Sequence, residues 1–440
     1  APWGEKSGTV TNSERCISRQ RSFLPVMGQA RPDWKILCDV AARMGWADAF
    51  SFASEAEIFR EYAALSALGN RFRRDFDLSG LSDVSDAAYD KLAPTIWPQP
   101  RSGKSGGRFF AGGGFYHPDG KARMIPVTAP TKVTAPAAFP FVLNTGRIRD
   151  QWHTMTRTGL SPRLNQHVGE PFVELHPDDA LEIGVTHADL AEVETTTGRA
   201  ILRVRIDPRA RRGSVFAPMH WTRQNAPAGR IGPLVAAVCD PVSGQPASKG
   251  SFAAVRPYTA KWYGFLASVA PIQMQTNFHA TKRTATGWSA ELAGDANPDD
   301  WEAFARSMIS RTDGRIVSVV NPRAGQARLA IFDGDVLFAV FFAAPQPMDI
   351  TRSHVVSLVG SQSPEIQALA GRPAIGTPDP GATICSCMSV GINTIAEAIT
   401  RGVDSVDALG DLTGAGTNCG SCKPELQALI TKHRVPIAAE

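Results

Sequence analysis

Four cysteines near the C-terminus have the residue type and the spacing of a metal centre. Cys385 and Cys387 form a C-x-C pair, Cys419 and Cys422 form a C-x-x-C pair, and 31 residues lie between the two pairs. Four thiolates ligate a [2Fe-2S] cluster, and they also ligate a structural zinc ion. Because paired zinc ligands are usually separated by about two to four residues, the C-x-C pair favours the cluster. A zinc site and a redox-active dithiol remain open alternatives.

Helical patterns follow both cysteine pairs. Apolar residues recur at helical spacing after each pair, at Ile392, Ile395, Ala396 and Ile399 and again at Leu426, Leu429 and Ile430, and Pro424 suits a first helical turn. We therefore expect each pair to lie in a loop that leads into a helix, where free N–H groups and the positive helix end stabilise thiolates. Gly416 and Gly420 would let the backbone approach the sulfurs.

The remaining sequence predicts several structural regions. Residues 1–95 are expected to be mostly helical, with one helix from Pro32–Asp33 to Met44 and another opened by a capping box at Ser54–Glu57. A linker rich in Pro, Thr and Ala is expected at 125–138. A strand-rich region then extends to about residue 257, with strands at 139–143, 171–175, 202–206 and 213–218.

A small α+β module is expected next, followed by a second linker. The module should contain a helix at 301–309 and strands at 316–320, 327–332 and 336–343. Residues 371–381 are expected to link it to the cysteine region. Nothing in the module points to chemistry.

Composition narrows the possible classes of protein. The chain has 440 residues, 43% of them hydrophobic, and a net charge of +4, which is too small to argue for a nucleic acid or a membrane surface. Stretches of about 18 apolar residues are absent from the sequence. Cys16, Cys38 and Cys239 show no pairing pattern, which favours a reducing, cytoplasmic compartment. Because Ala1–Lys6 resembles neither a protein start nor a targeting segment, we expect a fragment of a larger protein.

Longer motifs resemble the molybdopterin oxidoreductase superfamily, and most of all its assimilatory nitrate reductase catalytic subunits. Four motifs carry the resemblance, at residues 5–15, at 28–34, at 144–147 with 151–154, and at 240–246 with Lys249. The segment around Cys419 and Cys422 resembles the bacterioferritin-associated-ferredoxin type of [2Fe-2S] domain. The resemblance covers residues 1–257 and about 365–435.

The resemblance implies contacts to a molybdenum bis(molybdopterin guanine dinucleotide) cofactor. Matched motif by motif, the implied contact residues are Lys6, Asp33, Thr145, Gly146, Arg147, Gln151, Trp152, His153, Thr154 and Lys249. Cations suit the pyrophosphates of such a cofactor, and a carboxylate can accept from a guanine amino group. Taken singly, the same residues would equally suit a solvated surface or a packed turn. A [4Fe-4S] cluster and the molybdenum ligand are expected only in an N-terminal half that this sequence lacks, so no catalytic residue is assigned.

The fold expected from the resemblance is a mixed α/β and β-barrel protein. Residues 1–125 would be the remainder of the α/β molybdopterin region, and 137–257 would be a double-psi β-barrel that binds the dinucleotide. Residues 258–370 would be the α+β module of unclear role, and 380–436 a small helical [2Fe-2S] domain.

The implied function is the reduction of nitrate to nitrite, with electrons arriving through the [2Fe-2S] cluster from a reductase subunit, a ferredoxin or a flavodoxin. Three alternatives remain at this point. The chain could belong to another molybdopterin oxidoreductase, such as a formate dehydrogenase. It could instead be a non-catalytic iron–sulfur electron-transfer protein, or its cysteines could hold zinc in an interaction module.

Overall fold

The computed structural model describes residues 1–70, 74–126, 134–241, 243–273, 276–311 and 313–434. The chain divides into two compact units, Ala1–Thr131 and Lys132–Glu440. Much of the linker predicted at 125–138 lies outside the described residues.

The first unit combines helices with a small antiparallel sheet. Its helices are α1 (Asp33–Arg43), α2 (Glu55–Ala67) and α3 (Asp86–Asp90), and its sheet has the order β1 (Gly8–Thr11), β2 (Cys16–Gln20) and β3 (Thr95–Ile96). Both predicted helix starts are confirmed, and the Ser54 hydroxyl accepts a hydrogen bond from the Glu57 N–H, as a capping residue does. The expectation that residues 1–95 are mostly helical is wrong, because β2 pairs with β1 and with the distant β3.

A closed six-stranded barrel begins the second unit. Its strands follow the order β4, β8, β5, β7, β6 and β9, and one helix, α4 (Pro177–Ile183), lies between β5 and β6. The strand bounds are β4 (Phe141–Gly146), β5 (Phe172–Leu175), β6 (Leu190–Glu194), β7 (Arg199–Ile206), β8 (Ser214–Pro218) and β9 (Ser251–Pro257). The pairs β4–β8 and β5–β7 are parallel, and the other neighbours are antiparallel.

Alternating side chains fill the barrel interior. Leu202 and Val204 on β7 are fully buried, whereas Arg203 and Arg205 between and beside them are less so, as a half-buried strand requires. Leu143 of β4 and Val215 of β8 join the same core. The strand predictions for this region are therefore confirmed within a few residues.

A six-stranded antiparallel sheet follows the barrel. Its order is β11, β12, β10, β15, β14 and β13. The strands are β10 (Trp262–Ser268), β11 (Phe278–Arg283), β12 (Trp288–Gly294), β13 (Arg315–Asn321), β14 (Gln326–Asp333) and β15 (Val336–Ala344). Helix α5 (Trp301–Met308) covers one face, and α6 (Arg352–Leu358) with α7 (Glu365–Ala370) covers the other. The predicted helix and three predicted strands are confirmed.

The C-terminal part is a small, mostly helical structure with its own core. A hairpin of β16 (Thr383–Cys385) and β17 (Val390–Gly391) precedes α8 (Ile392–Thr400), α9 (Val406–Thr413) and α10 (Lys423–Arg434). Ile395, Leu409, Leu426 and Ile430 are buried at the centre of this core. Among the described residues, no helix has both the length and the apolar character needed to cross a membrane.

Candidate metal centre and cofactor loop

All four cysteines of the two motifs line one cavity of about 360 Å³. Cys385 ends β16 and is buried, and Cys387 follows it in the turn towards β17. Cys419 lies exposed in the loop after α9, and Cys422 is buried immediately before α10. The fold thus brings together two motifs that are distant in sequence.

The thiols form two pairs, each with one cysteine from each motif. The Sγ atoms of Cys387 and Cys419 are 3.4 Å apart. Burial, followed by a hydrogen bond with Cys385, raises the pKa of the Cys422 thiol to about 11. The Ser421 hydroxyl, 3.0 Å from Sγ of Cys419, and then the Ser421 N–H lower the pKa of Cys419.

The local backbone differs between the two motifs. Helix α10 begins directly after Cys422, so the second pair lies at a helix N-terminus, as expected. The same expectation is wrong for the first pair, because a hairpin separates Cys387 from α8. Gly416 and Gly420 adopt positive φ angles of 82° and 72°, which glycine tolerates best.

Four cysteine thiols around one cavity are the donor set that a [2Fe-2S] cluster needs. A zinc ion needs all four thiolates around one point, whereas a [2Fe-2S] cluster is spread over two irons and can take the thiolates as two pairs. The donor set and the cavity therefore fit the cluster.

The loop after β4 carries most of the predicted cofactor residues. The buried Thr145 hydroxyl donates a hydrogen bond of 2.6 Å to the carbonyl of Ser248, and β4 pairs with β9 beside it. Thr145 and Gly146 thereby lie next to Lys249. Arg147 and Lys249 are exposed, and neither makes an ion pair with another described residue. This edge of the barrel presents two cations to solvent.

Gln151 is buried inside the loop, away from solvent. Its amide nitrogen donates to Oδ1 of Asn165 at 2.9 Å and to the carbonyl of Val168 at 3.4 Å, and its Oε1 accepts from the Thr158 hydroxyl at 2.6 Å. Both amide hydrogens are therefore used within the protein. These contacts favour a role in shaping the loop, and direct contact of Gln151 with a cofactor stays a prediction.

Trp152, His153 and Thr154 form the exposed tip of this loop. The Trp152 and His153 rings meet edge to face, with centroids 4.4 Å apart, and the Arg157 guanidinium lies 5.9 Å from the Trp152 ring centre. His153 has a positive φ of 40°. A half-exposed indole supported in this way offers a flat surface on which a heteroaromatic ring could stack.

The His220 ring forms hydrogen bonds with the loop backbone at Ile148 and at His153. This fully buried ring accepts the Ile148 N–H at Nε2 over 2.9 Å, and its Nδ1 lies 2.5 Å from the His153 carbonyl, to which it donates. Burial lowers the pKa of His220, so the ring stays neutral with its proton on Nδ1. From the sequence, His220 and Trp221 suit either the lining of a substrate channel or packing in the core. The structure places His220 in the core, and no local motif reveals its hydrogen bonds to the loop.

Lys6 and Asp33 belong to the first unit, where they bind each other. Their side chains form an ion pair, and its hydrogen bond and charge lower the pKa of Asp33. The predicted cofactor contacts in this unit are therefore partners in the structure as described. A contact of either residue with a phosphate or a guanine would compete with this pair.

Charged residues that the sequence analysis did not single out connect the loop after β4 to the thiol cavity. Arg149 and Asp150 line the cavity together with Gln151 and Trp152. Nη2 of Arg149 lies 3.0 Å from Oε2 of Glu425 on α10. Arg149 and Asp150 fall inside the predicted run from Thr145 to Thr154. Their partners Ile384 and Ser386 are more than 200 residues away, so no spacing pattern could identify these contacts.

Three segments of the chain match known protein families. Residues 1–43 match "Molybdopterin oxidoreductase", residues 141–252 match "Molydopterin dinucleotide binding domain", and residues 383–432 match "BFD-like [2Fe-2S] binding domain". The second match spans the barrel from β4 into β9, and the third spans the four cysteines.

Curated proteins similar to the chain include nitrate reductases. The chain is 42% identical to a nitrate reductase of Klebsiella oxytoca over 97% of its own length and 49% of that protein. It is 31% identical to the assimilatory nitrate reductase catalytic subunit of Bacillus subtilis over 56% of this chain and 33% of that protein. A formate dehydrogenase subunit alpha of Methanocaldococcus jannaschii is 29% identical over 51% of this chain and 32% of that protein.

The chain thus spans about half the length, or less, of these relatives. The three family matches agree with the similarity of the chain to the Klebsiella nitrate reductase over 97% of the length of the chain. The chain is a member of the molybdopterin oxidoreductases that carries a molybdopterin dinucleotide-binding domain and a BFD-like [2Fe-2S] domain.

Proposed function

We propose that the chain is part of an assimilatory nitrate reductase catalytic subunit. The observation that carries this proposal is the 42% identity to a nitrate reductase over 97% of the chain, which includes the cysteine region. In the proposed reaction, nitrate loses one oxygen atom, two electrons and two protons are consumed, and nitrite and water are formed. Molybdenum, when bound, would supply the two-electron chemistry at the oxygen atom.

The barrel would bind the molybdenum bis(molybdopterin guanine dinucleotide) cofactor as a double-psi domain. Its two parallel strand pairs, β4–β8 and β5–β7, support this topology. Arg147 and Lys249 would bind phosphate oxygens, because both are exposed cations at one edge of the barrel without an ion-pair partner among the described residues. Trp152 and His153 would stack against or donate to a ring of the cofactor.

The C-terminal domain would receive single electrons at a [2Fe-2S] cluster held by Cys385, Cys387, Cys419 and Cys422. A reductase subunit, a ferredoxin or a flavodoxin in the cytoplasm would donate them, and two transfers would serve each nitrate. The [4Fe-4S] cluster and the molybdenum ligand stay predictions about sequence that these 440 residues do not include.

The test is turnover by the longer protein that supplies the expected molybdenum ligand, purified anaerobically with its molybdenum cofactor and assayed with a chemically reduced viologen as donor. Nitrite formation that depends on nitrate supports the proposal. Formate oxidation without nitrate reduction would favour the formate dehydrogenase alternative, which the similarity to the Methanocaldococcus subunit supports. Bound iron without either activity in the molybdenum-loaded protein would favour an electron-transfer protein.

A further inference from the structure

The thiol cavity is closed on one side by the barrel. Four consecutive residues of the loop after β4, Arg149 to Trp152, line the cavity together with the four cysteines. The other lining residues are Thr158, Leu164, Ser386 and Ser421. The same loop carries the exposed Trp152 and His153 that are proposed to meet the pterin cofactor. The proposed electron-accepting centre and the proposed cofactor surface therefore share one short segment of chain.

Arg149 lies at the centre of the contact between the barrel and the C-terminal domain. Its guanidinium donates a hydrogen bond to the carbonyl of Ile384, the neighbour of Cys385, and lies 3.0 Å from the Glu425 carboxylate on α10. The Arg149 side chain is only 17% exposed. One buried cation thus contacts both cysteine-bearing segments.

Asp150 and His167 extend this contact. Oδ2 of Asp150 lies 3.3 Å from the hydroxyl of Ser386, the residue between Cys385 and Cys387. Nδ1 of His167 lies 2.7 Å from Oδ2 of Asp150, and its Nε2 lies 3.7 Å from the Glu425 carboxylate. Because the Asp150 side chain is 7% exposed, loss of its neighbours would leave a nearly buried carboxylate without partners, which is strongly unfavourable.

We infer that Arg149 and Asp150 are positioning residues that dock the BFD-like domain in one fixed orientation on the cofactor loop, and that the Arg149 charge raises the reduction potential of the cluster. This inference rests on the proposed function of the cysteines. Reduction adds one negative charge at the thiol cavity, and a neighbouring cation in a poorly solvated site stabilises that charge. The Glu425 carboxylate acts in the opposite direction.

Fixed docking also determines where the electron goes. A cluster held by the four cysteines would take one electron at a time from the proposed donor, a reductase subunit, ferredoxin or flavodoxin. It would give each electron up to the proposed molybdenum cofactor, where nitrate is the final oxidant. Two such cycles supply the two electrons of the proposed nitrate reduction. The side of the cavity formed by Arg149 to Trp152 is the one that faces the barrel.

The experiment compares Arg149→Met and Glu425→Gln in the full chain, reconstituted anaerobically with iron and sulfide. Arg149→Lys is the conservative variant. Arg256→Met is the matched control, since Arg256 forms an exposed ion pair with Glu194 on the same barrel. EPR-monitored redox titration gives the potential of the cluster, and hydrogen exchange of residues 384–389 reports the docking.

Both Arg149→Met and Glu425→Gln should speed hydrogen exchange at 384–389, but they should shift the potential in opposite directions. Arg149→Met should lower the reduction potential and Glu425→Gln should raise it. Arg149→Lys keeps the positive charge, so its potential should lie close to that of the unmodified chain. If the two residues had a purely structural role, both variants would shift the reduction potential in the same direction. That result would overturn the inference that the Arg149 charge sets the potential. Unchanged exchange in both variants would overturn the docking.

Two further outcomes are also informative. Loss of iron from Arg149→Met but not from Arg256→Met would support the contact between Arg149 and the cysteine segments. An unmodified chain that binds no iron would refute the proposed function of the cysteines, and it would be recognised as such before any variant is compared.

Discussion

The buried His220 ring should determine how firmly the cofactor loop is held. Replacing His220 by Phe keeps a flat ring of similar size but removes the acceptor for the Ile148 N–H and the donor to the His153 carbonyl. Each buried backbone group left without a partner costs about 1–3 kcal/mol. The two together should cost at least about 2 kcal/mol, which is roughly a 30-fold change in an opening equilibrium.

Hydrogen exchange followed by mass spectrometry measures this opening directly, because loop amides exchange through local unfolding. His220→Phe should raise the exchange rate of residues 147–155 by about 30-fold or more, while the strands of the barrel change less. The control is His187→Phe, since His187 accepts an N–H from Ile206 on the exposed surface of the same barrel. Equal exchange in the two variants would refute the assignment of His220 as the support of the loop.

Three further predictions concern pH, nucleotide binding and a buried ion pair. Because burial lowers the pKa of His220 below its ordinary value of 6.5, the unfolded chain binds the proton first as pH falls. The difference in unfolding free energy between the unmodified protein and His220→Phe should therefore stay constant above about pH 6.5 and shrink as the pH falls below it. Urea titrations that give the same difference at every pH would contradict this prediction. Replacing both Arg147 and Lys249 by Met should weaken GDP binding by about 10- to 100-fold and flatten its salt dependence in calorimetry, whereas the exposed Arg199→Met should not. Arg352→Met removes the ion-pair partner of Glu291, so it should lower the free energy of unfolding by about 1–3 kcal/mol after allowance for the partial exposure of Arg352. The control Arg372→Met removes an exposed ion pair and should lower it by less than about 1 kcal/mol. Equal losses in thermal or urea unfolding would contradict the prediction.

Local sequence signals predict the elements whose stability comes from neighbouring residues. The cap at Ser54 and the apolar periodicity after Pro32 locate α2 and α1 correctly. The strands β13 to β15 are also recognisable, because their apolar runs are bounded by turn residues such as Asp333 and Gly334.

Elements formed by long-range pairing were missed. Ile17 of β2 pairs with Thr95 of β3, which is distant in sequence. Strand β3 has only two residues, too few to carry a pattern, so the small sheet of the first unit could not be predicted. Strand β10 was missed for another reason. Nearly all its residues are buried, so the alternation that marks a half-buried strand is absent.

In the candidate site, too, some features could be predicted from the sequence and others could not. Cysteine types and spacing are sufficient to predict a metal centre, since the ligand chemistry depends on those four residues. The predicted pterin contacts came from resemblance to a family, because a single exposed lysine or tryptophan has no distinctive physical signature. The contacts of Arg149 with Ile384 and Glu425, and the role of His220, depend on folding and could be found only in the structure.

The central claim is that the four cysteines hold a [2Fe-2S] cluster, and it is tested most directly by metal and acid-labile sulfide analysis with EPR after dithionite reduction. The anaerobically reconstituted chain should contain about two irons and two sulfides and give an EPR signal. That signal should be lost in Cys419→Ser and retained in Cys239→Ser, whose exposed thiol lies outside the cavity. Bound zinc, or no iron after reconstitution, would contradict the account and leave the cysteines without a role in electron transfer.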